Sequence, residues 1–220
     1  EVGAFRAALR AERYDAVIDS QGLIKSALIA SQALGRKHGF DRASVREPFA
    51  ARFYDATHSV PGALHAVERN RQLAAAALGY RADGPGDYGL QAEGESPMQV
   101  RKPFALLLTM TSRDDKLWPE EHWRSLGAAL HARGLHCVLP WGTHEERRRC
   151  ARIATAIRGA AVPPRMALTD LARLARAAQC AVGVDTGLAH LAAALDVPVV
   201  GLYCGSTPAL TGLHGGRWTR

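Results

Sequence analysis

The stretch VGVDTGLAHLAAALDVPVVGLY, Val182 to Tyr203, decides how this chain folds. Cys180 to Val184 is a short apolar run of strand length, and Thr186 to Leu195 is rich in Ala and Leu, the strongest helix formers. Val197 to Tyr203 returns to β-branched and aromatic residues. A strand, a tight turn, a helix and a second strand predict two parallel strands joined by a right-handed crossover. The turn between the first strand and the helix is Asp185-Thr186-Gly187. The same triplet builds half of an aspartic protease site, but that chemistry needs two copies sharing a proton, each in β-structure. This chain has one copy, and it opens a helix.

The same alternation extends toward the N-terminus. Phe104–Thr109 and His136–Leu139 read as strands, and Ala160–Val162 as a brief third. Helices are predicted from Pro119-Glu120-Glu121, where proline and acids fill a first turn, from Glu145 to Ile157, and from Thr169 to Ala178. Residues 80–103 collect Gly, Pro and Asp with little periodicity and are the expected linker. Ahead of it, a helix ending near Arg13 precedes a buried strand at Tyr14–Asp19 and a turn at Ser20-Gln21-Gly22. A helix over Leu23–Leu34, a basic loop over Arg36–Tyr54 and a helix over Ala63–Leu78 follow. Two α/β domains of parallel sheet are therefore expected, over 1–79 and 104–220.

The 220 residues, 47% hydrophobic and 22% charged, can bury a real core and argue against extensive disorder. A net charge of +7 favours an anionic partner. Aromatic residues are only 6%, and no basic run is interleaved with them to stack bases, so nucleic acid is not expected. The four cysteines are widely spaced without a Cys-x-x-Cys pair, and three of them sit beside apolar runs, which predicts buried thiols in a reducing compartment rather than a zinc site. There is no apolar run of membrane-spanning length. The first residues read as the middle of an amphipathic helix rather than a leader.

Ligands of open parallel sheets bind beyond the carboxyl ends of the strands, and every loop there is polar. The first carries Thr111, Ser112, Asp114, Asp115 and Lys116, the second Thr143 and Glu145, the next Met166, then Asp185, Thr186, Gly187 and His190, and the last Ser206. Hydroxyls and backbone N–H groups at a helix N-terminus suit phosphate, and Gly187 lets an anion approach the backbone. Lys116 supplies a point charge, Glu145 an acceptor for ribose hydroxyls, and Met166 a soft face for a purine. Together they predict a nucleoside diphosphate site, although no Gly-x-Gly-x-x-Gly or P-loop is present. Plainer readings exist for each residue alone: Asp185 as a helix cap, His190 as packing, Met166 as core, and Asp114-Asp115 and the basic stretch 36–71 as solvated faces.

Four motifs, in order along almost the whole chain, resemble the ADP-heptose:lipopolysaccharide heptosyltransferases: YDAVIDSQGLIKSA, TSRDDKLWPEEHW, LPWGTHEE and DTGLAHLAAALDVPVVGLY. The resemblance implies an inverting glycosyltransferase of GT-B type, with two Rossmann-like domains, substrates in the cleft, and no cofactor or metal. It implies transfer of L-glycero-D-manno-heptose from ADP-heptose to Kdo on the anionic lipid A inner core. The enzyme would be a monomer on the cytoplasmic face of the inner membrane, in peripheral contact with it. Thr111, Ser112, Lys116, Thr186, Gly187 and His190 would hold the diphosphate end, Glu145 the ribose, Met166 the adenine and Asp185 the heptose, with Lys116 and Asp185 serving catalysis. Lys25, Arg46, His65 and Arg69 would face the acceptor. The family's first strand, with its Gly-rich loop and catalytic base, would precede Glu1, and its last helix would follow Arg220, so an inactive fragment is expected of residues 1–220 alone. Tyr203-Cys204-Gly205-Ser206 stands where the family usually has Tyr-Gly-Pro-Thr. Two other readings remain: the same fold with another nucleotide sugar, or a non-catalytic module binding nucleotide or lipid anions.

Overall fold

The protein is described by a computed structural model over residues 2–96 and 98–215. Of the ranges expected above, Glu1, Pro97 and residues 216–220 lie outside the described residues. The chain divides into two compact units, Glu1–Gly84 and Pro85–Arg220.

In the first unit, α1 (Val2–Arg10) leads to β1 (Arg13–Asp19), α2 (Ile24–Ala30) and β2 (Leu34–Phe40). A 3₁₀ turn (Ala50–Phe53), β3 (Ala56–His58) and α3 (Ala66–Leu78) complete it. The three strands are parallel in the order β1-β2-β3. Here the structure corrects the sequence reading: the helix expected to reach Leu34 stops at Ala30, and the first part of the expected basic loop is the central strand. LGRKHGF has no apolar alternation, so its strand character comes from pairing on both sides. Gly39 is required there because the Tyr54 ring occupies the space a β-carbon would need. Ala27, Phe40, Val45, Ala50, Tyr54, Val60 and Leu73 form the core. The last turn of α3 closes on Gly79, whose left-handed φ of 74° only glycine adopts without strain.

At the ends of β2 and β3, His38 Nδ1 and His58 Nε2 lie 3.0 Å apart with nearly parallel rings. Burial, then the charges of His58 and Arg36, push the buried His38 below the ordinary histidine value of 6.5, against an opposing pull from Asp55. The folded state thus prefers neutral His38, and on acidification the unfolded chain binds the proton first. Its stabilisation is complete above about pH 6.5 and is lost progressively as pH falls toward the lower folded value. Urea midpoints across pH 5–8 should show this fall, and His38→Gln should flatten it.

The second unit runs β4 (Phe104–Leu108), a 3₁₀ turn (Asp114–Lys116), α4 (Glu120–Ala132), β5 (His136–Val138) and α5 (His144–Ala154). It continues with α6 (Leu168–Ala177), β6 (Cys180–Val184), α7 (Gly187–Ala194), β7 (Val199–Leu202) and α8 (Pro208–Thr211). All four strands are parallel, in the order β5-β4-β6-β7. The stretch expected as a third strand near Ala160 contributes a single bridge, Val138 to Ala161. Alternate residues of β4 face opposite layers: Phe104, Leu106 and Leu108 meet Leu174, Ala189 and Ala192 of α6 and α7, whereas Leu107 meets Trp123, Cys150 and Ile153 of α4 and α5. The sheet is covered on both sides, which accounts for its almost continuously apolar strands.

The strand order fixes where a ligand can enter. After β4 the chain moves outward to β5, then returns to the other side of β4 to lay down β6 and β7. Between β4 and β6 the direction of winding reverses, and the loops leaving their carboxyl ends diverge to opposite faces. α7 is seated close to this point because Gly183 has no side chain; a β-carbon there would lie 3.0 Å from that of Leu108 and 3.2 Å from that of Ala189. Helix α7 ends where Asp196 adopts a left-handed φ of 58°, two residues before Pro198. Cys137 and Cys150 are buried, Cys180 is half-buried and Cys204, in the loop beyond β7, is exposed; all four thiols are free.

Candidate functional site

Thr111 and Lys116 follow β4, and Asp185 follows β6, so the winding reversal brings them together. Lys116 Nζ donates to Asp185 Oδ2 at 2.7 Å, and Thr111 Oγ1 donates to the Asp185 carbonyl at 2.9 Å. His190, one turn into α7, places Nε2 3.5 Å from Asp185 Oδ1. The Asp185 side chain is only 10% exposed and that of Lys116 18%, while His190 is 41% exposed. Burial alone would raise the Asp185 carboxyl. The hydrogen bond from Lys116, the adjacent Ser206 hydroxyl, the Lys116 charge and His190 outweigh it and hold Asp185 below the ordinary aspartate range. Ser206 contributes by proximity: its Oγ is buried without a hydrogen bond of ordinary geometry among the described residues.

Asp185 is therefore not the cap of α7. Thr186 holds the N-cap position with extended backbone and no capping side-chain bond. The start of α7 is open at Gly187, where a β-carbon would meet nothing within 4 Å among the described residues. A helix N-terminus, a lysine and two hydroxyls converge there, an arrangement that receives oxyanions.

Beside it lies a cavity of about 410 Å³ lined by Met110, Thr111, Asp114, Thr143, Glu145 and Glu146, with Arg148, Arg149 and Arg152 on its far side. Thr111 belongs to both the cavity and the Asp185 cluster. Of the two adjacent glutamates, Glu146 is spent on folding: it accepts from Gly142 N at 2.6 Å and Thr143 N at 3.1 Å, while Thr143 Oγ1 accepts from Glu146 N. Glu145 is left exposed in the first turn of α5 with no hydrogen bond among the described residues. The loop carrying Met166 is tied to this rim, because Trp141 Nε1 donates to Pro163 O at 2.6 Å and Arg165 Nε to Gly142 O at 3.0 Å. Met166 itself is half-buried against the β4–β6 core. Ser112 is exposed and makes no hydrogen bond among the described residues.

Sequence reasoning missed the arginines. Glu120, at the start of α4, binds Arg152 at 2.8 Å, Arg124 at 3.2 Å and Arg149 at 3.4 Å. The hydrogen bond from Arg152 is the chief reason its carboxyl lies below the glutamate range. Arg149 also donates to Trp118 O at 2.7 Å, so Arg148 is the cavity's cation without an ion pair among the described residues. The RRR run at 147–149 was visible, but only the helix phase decides which member faces the cavity.

The four basic candidates of the first unit are placed differently from one another. His65 caps α3, its Nδ1 accepting from Val67 N at 3.2 Å. Arg69 donates to Ser44 O at 2.5 Å and lies 4.6 Å above the Phe40 ring. Lys25 and Arg46 are exposed and make no bond among the described residues.

Comparison with known proteins gives the family and the fold. The family model described as glycosyltransferase family 9 (heptosyltransferase) matches residues 2–219. Lipopolysaccharide heptosyltransferase 1 of Escherichia coli K12 is 45% identical over 215 residues, covering 96% of this chain and 67% of the relative. The E. coli heptosyltransferase WaaC solved with ADP superimposes with a TM-score of 0.85 at 43% identity, over 97% of this chain and 68% of that one. Its structure with ADP-2-deoxy-2-fluoro heptose gives 0.80 at 40% identity, over 96% and 71% of the two chains. The α/β architecture of GT-B type expected above is shared with these structures, and the chain spans about two thirds of their length.

Proposed function

Because this chain belongs to glycosyltransferase family 9, the heptosyltransferases, we propose that it transfers L-glycero-D-manno-heptose from ADP-heptose to Kdo of the lipid A inner core. The observation that carries the assignment of the donor site is the Lys116–Asp185 pair at the open N-terminus of α7, where the winding of the sheet reverses. In this reading the acceptor oxygen attacks the anomeric carbon, and its proton passes to a carboxylate other than those named here. The bond to the diphosphate breaks with its electron pair leaving on ADP, and the configuration inverts. Lys116 and the first N–H groups of α7 take up the charge developing on that leaving oxygen. Asp185 orients Lys116 and accepts from heptose hydroxyls, while Thr111, Ser112 and His190 complete the diphosphate end. Glu145, unbonded on the cavity rim, accepts from the ribose, and Met166 lies against adenine. Lys25, Arg46, His65 and Arg69 form the acceptor side in the first unit, and the net charge of +7 supports peripheral contact with an anionic inner-membrane surface. No helix among the described residues is long and apolar enough to cross a membrane.

The test is mass spectrometry of a Kdo-lipid A acceptor incubated with ADP-heptose and the full-length protein. One added heptose with release of ADP is expected. ADP binding without transfer would favour a non-catalytic module, and displacement of ADP-heptose by UDP or GDP as effective as by ADP would favour another nucleotide sugar. Glu145→Ala should weaken ADP about tenfold in calorimetry, the worth of one good hydrogen bond.

A further inference from the structure

Asp19, at the carboxyl end of β1, is 6% exposed, and among the described residues it has no cation partner. A buried carboxylate so placed is costly unless every acceptor position is filled. Here they are filled. Oδ1 accepts from Gln21 N at 2.9 Å and Gly22 N at 3.2 Å, and Oδ2 accepts from Tyr54 Oη at 2.6 Å and lies 2.8 Å from Ser26 Oγ. The phenol stays protonated, because burial first and the Asp19 carboxylate second raise it above the ordinary tyrosine value. A second acid clasps the same turn from outside: Glu47 Oε2 accepts from Ile24 N at 2.6 Å, and Glu47 N donates to Gly22 O at 3.1 Å. Gly22 takes a left-handed φ of 65°, so the turn is held in a shape other residues resist. What the clasp carries is exposed and uncommitted: Lys25, one residue beyond Ile24, and Arg46, one residue before Glu47.

We propose that Asp19, Tyr54 and Glu47 are positioning residues that fix Lys25 and Arg46 as one site for the anionic groups of the lipid-linked acceptor. The proposal rests on the acceptor reading given above. The two cations sit on segments 21 residues apart in sequence, and the backbone of Arg46 passes beside Gly22. Without hydrogen bonds joining the turn at residues 19–24 to the loop at residue 47, each would move independently and hold a carboxylate or phosphate poorly.

Tyr54→Phe in the full chain isolates the effect, since the ring stays packed where Gly39 leaves room and only the hydroxyl is removed. The expected result is a KM for the Kdo-lipid A acceptor raised on the order of tenfold, with the KM for ADP-heptose within about twofold. Glu47→Ala should act the same way, and Glu47→Gln, which keeps an oxygen for Ile24 N, should restore most of the acceptor affinity. A lowered melting temperature with both KM values unmoved, or an equal rise in both, overturns the proposal. Should the full-length wild-type protein transfer no heptose, the acceptor reading fails and the proposal with it. Transfer by the wild type with unchanged acceptor KM in Tyr54→Phe and Glu47→Ala overturns the proposal alone.

Discussion

Lys116→Ala should lower kcat/KM for heptose transfer by roughly two to three orders of magnitude, comparable to removing one preorganised charge-stabilising donor. Lys116 is held in place before substrate arrives, by a 2.7 Å bond to a carboxylate that is itself nearly buried. A charge fixed in advance needs no reorganisation as the diphosphate leaves, and at 18% exposure it is little screened by water. Asp185→Ala should cost nearly as much, because it frees Lys116 and leaves its charge partly buried without a partner. The double variant should lose far less than the sum of the two, since each substitution removes the same unit. Because the folded Asp185 carboxyl lies below its ordinary value of 3.8, the carboxylate is ionised throughout neutral pH, and its stabilisation, complete above about 3.8, is lost as pH falls through the lowered value. Steady-state assays of the three variants decide the matter; activity within threefold of wild type in both single variants would remove Lys116 and Asp185 from the mechanism.

Trp123→Ala should destabilise the second unit by about 3–5 kcal/mol, the range for truncating a fully buried tryptophan. Trp123 is 0% exposed, packs edge-on against Trp118 at 5.0 Å, and fills the layer between α4, α5 and the β4–β5 side of the sheet. Its Nε1 has no hydrogen-bond partner among the described residues, so Trp123→Phe removes an unsatisfied donor while leaving a smaller void. The phenylalanine variant should therefore cost less than half as much as the alanine one. Urea denaturation monitored by circular dichroism measures both, with equal m-values as the control for a common denatured state. A loss below about 1 kcal/mol for alanine would mean that the layer is not packed as described.

Much of the second unit was legible because its signals are local. Apolar runs of four to six residues, Ala- and Leu-rich helices and the proline and acids before α4 report secondary structure through propensity and period. The placement of the polar loops beyond the strand ends follows from that alternation, so Thr111, Lys116, Glu145 and Asp185 could be named before any coordinates. The first unit was less legible. β2 carries glycines and basic residues where a strand pattern would show alternation, and it is a strand because two neighbours pair with it. Glu145 and Glu146 were indistinguishable in kind; the capping geometry at Thr143 committed one and left the other free. Arg69 and His65 read as surface cations, yet one ties down the Ser44 carbonyl and the other caps a helix.

By itself the sequence determined the α/β class, most of the element order of the second unit and the loops that carry the chemistry, since these rest on contacts between residues a few positions apart. Only the tertiary structure decided the partnerships: Lys116 with Asp185 across 69 residues, Thr111 with the Asp185 carbonyl across 74, and Tyr54 with Asp19 across 35. Those pairs exist because β6 lies next to β4, and because the chain beyond β2 folds back over the turn after β1. Strand adjacency is settled by the packing of whole layers against one another, and no local pattern in the residues records it.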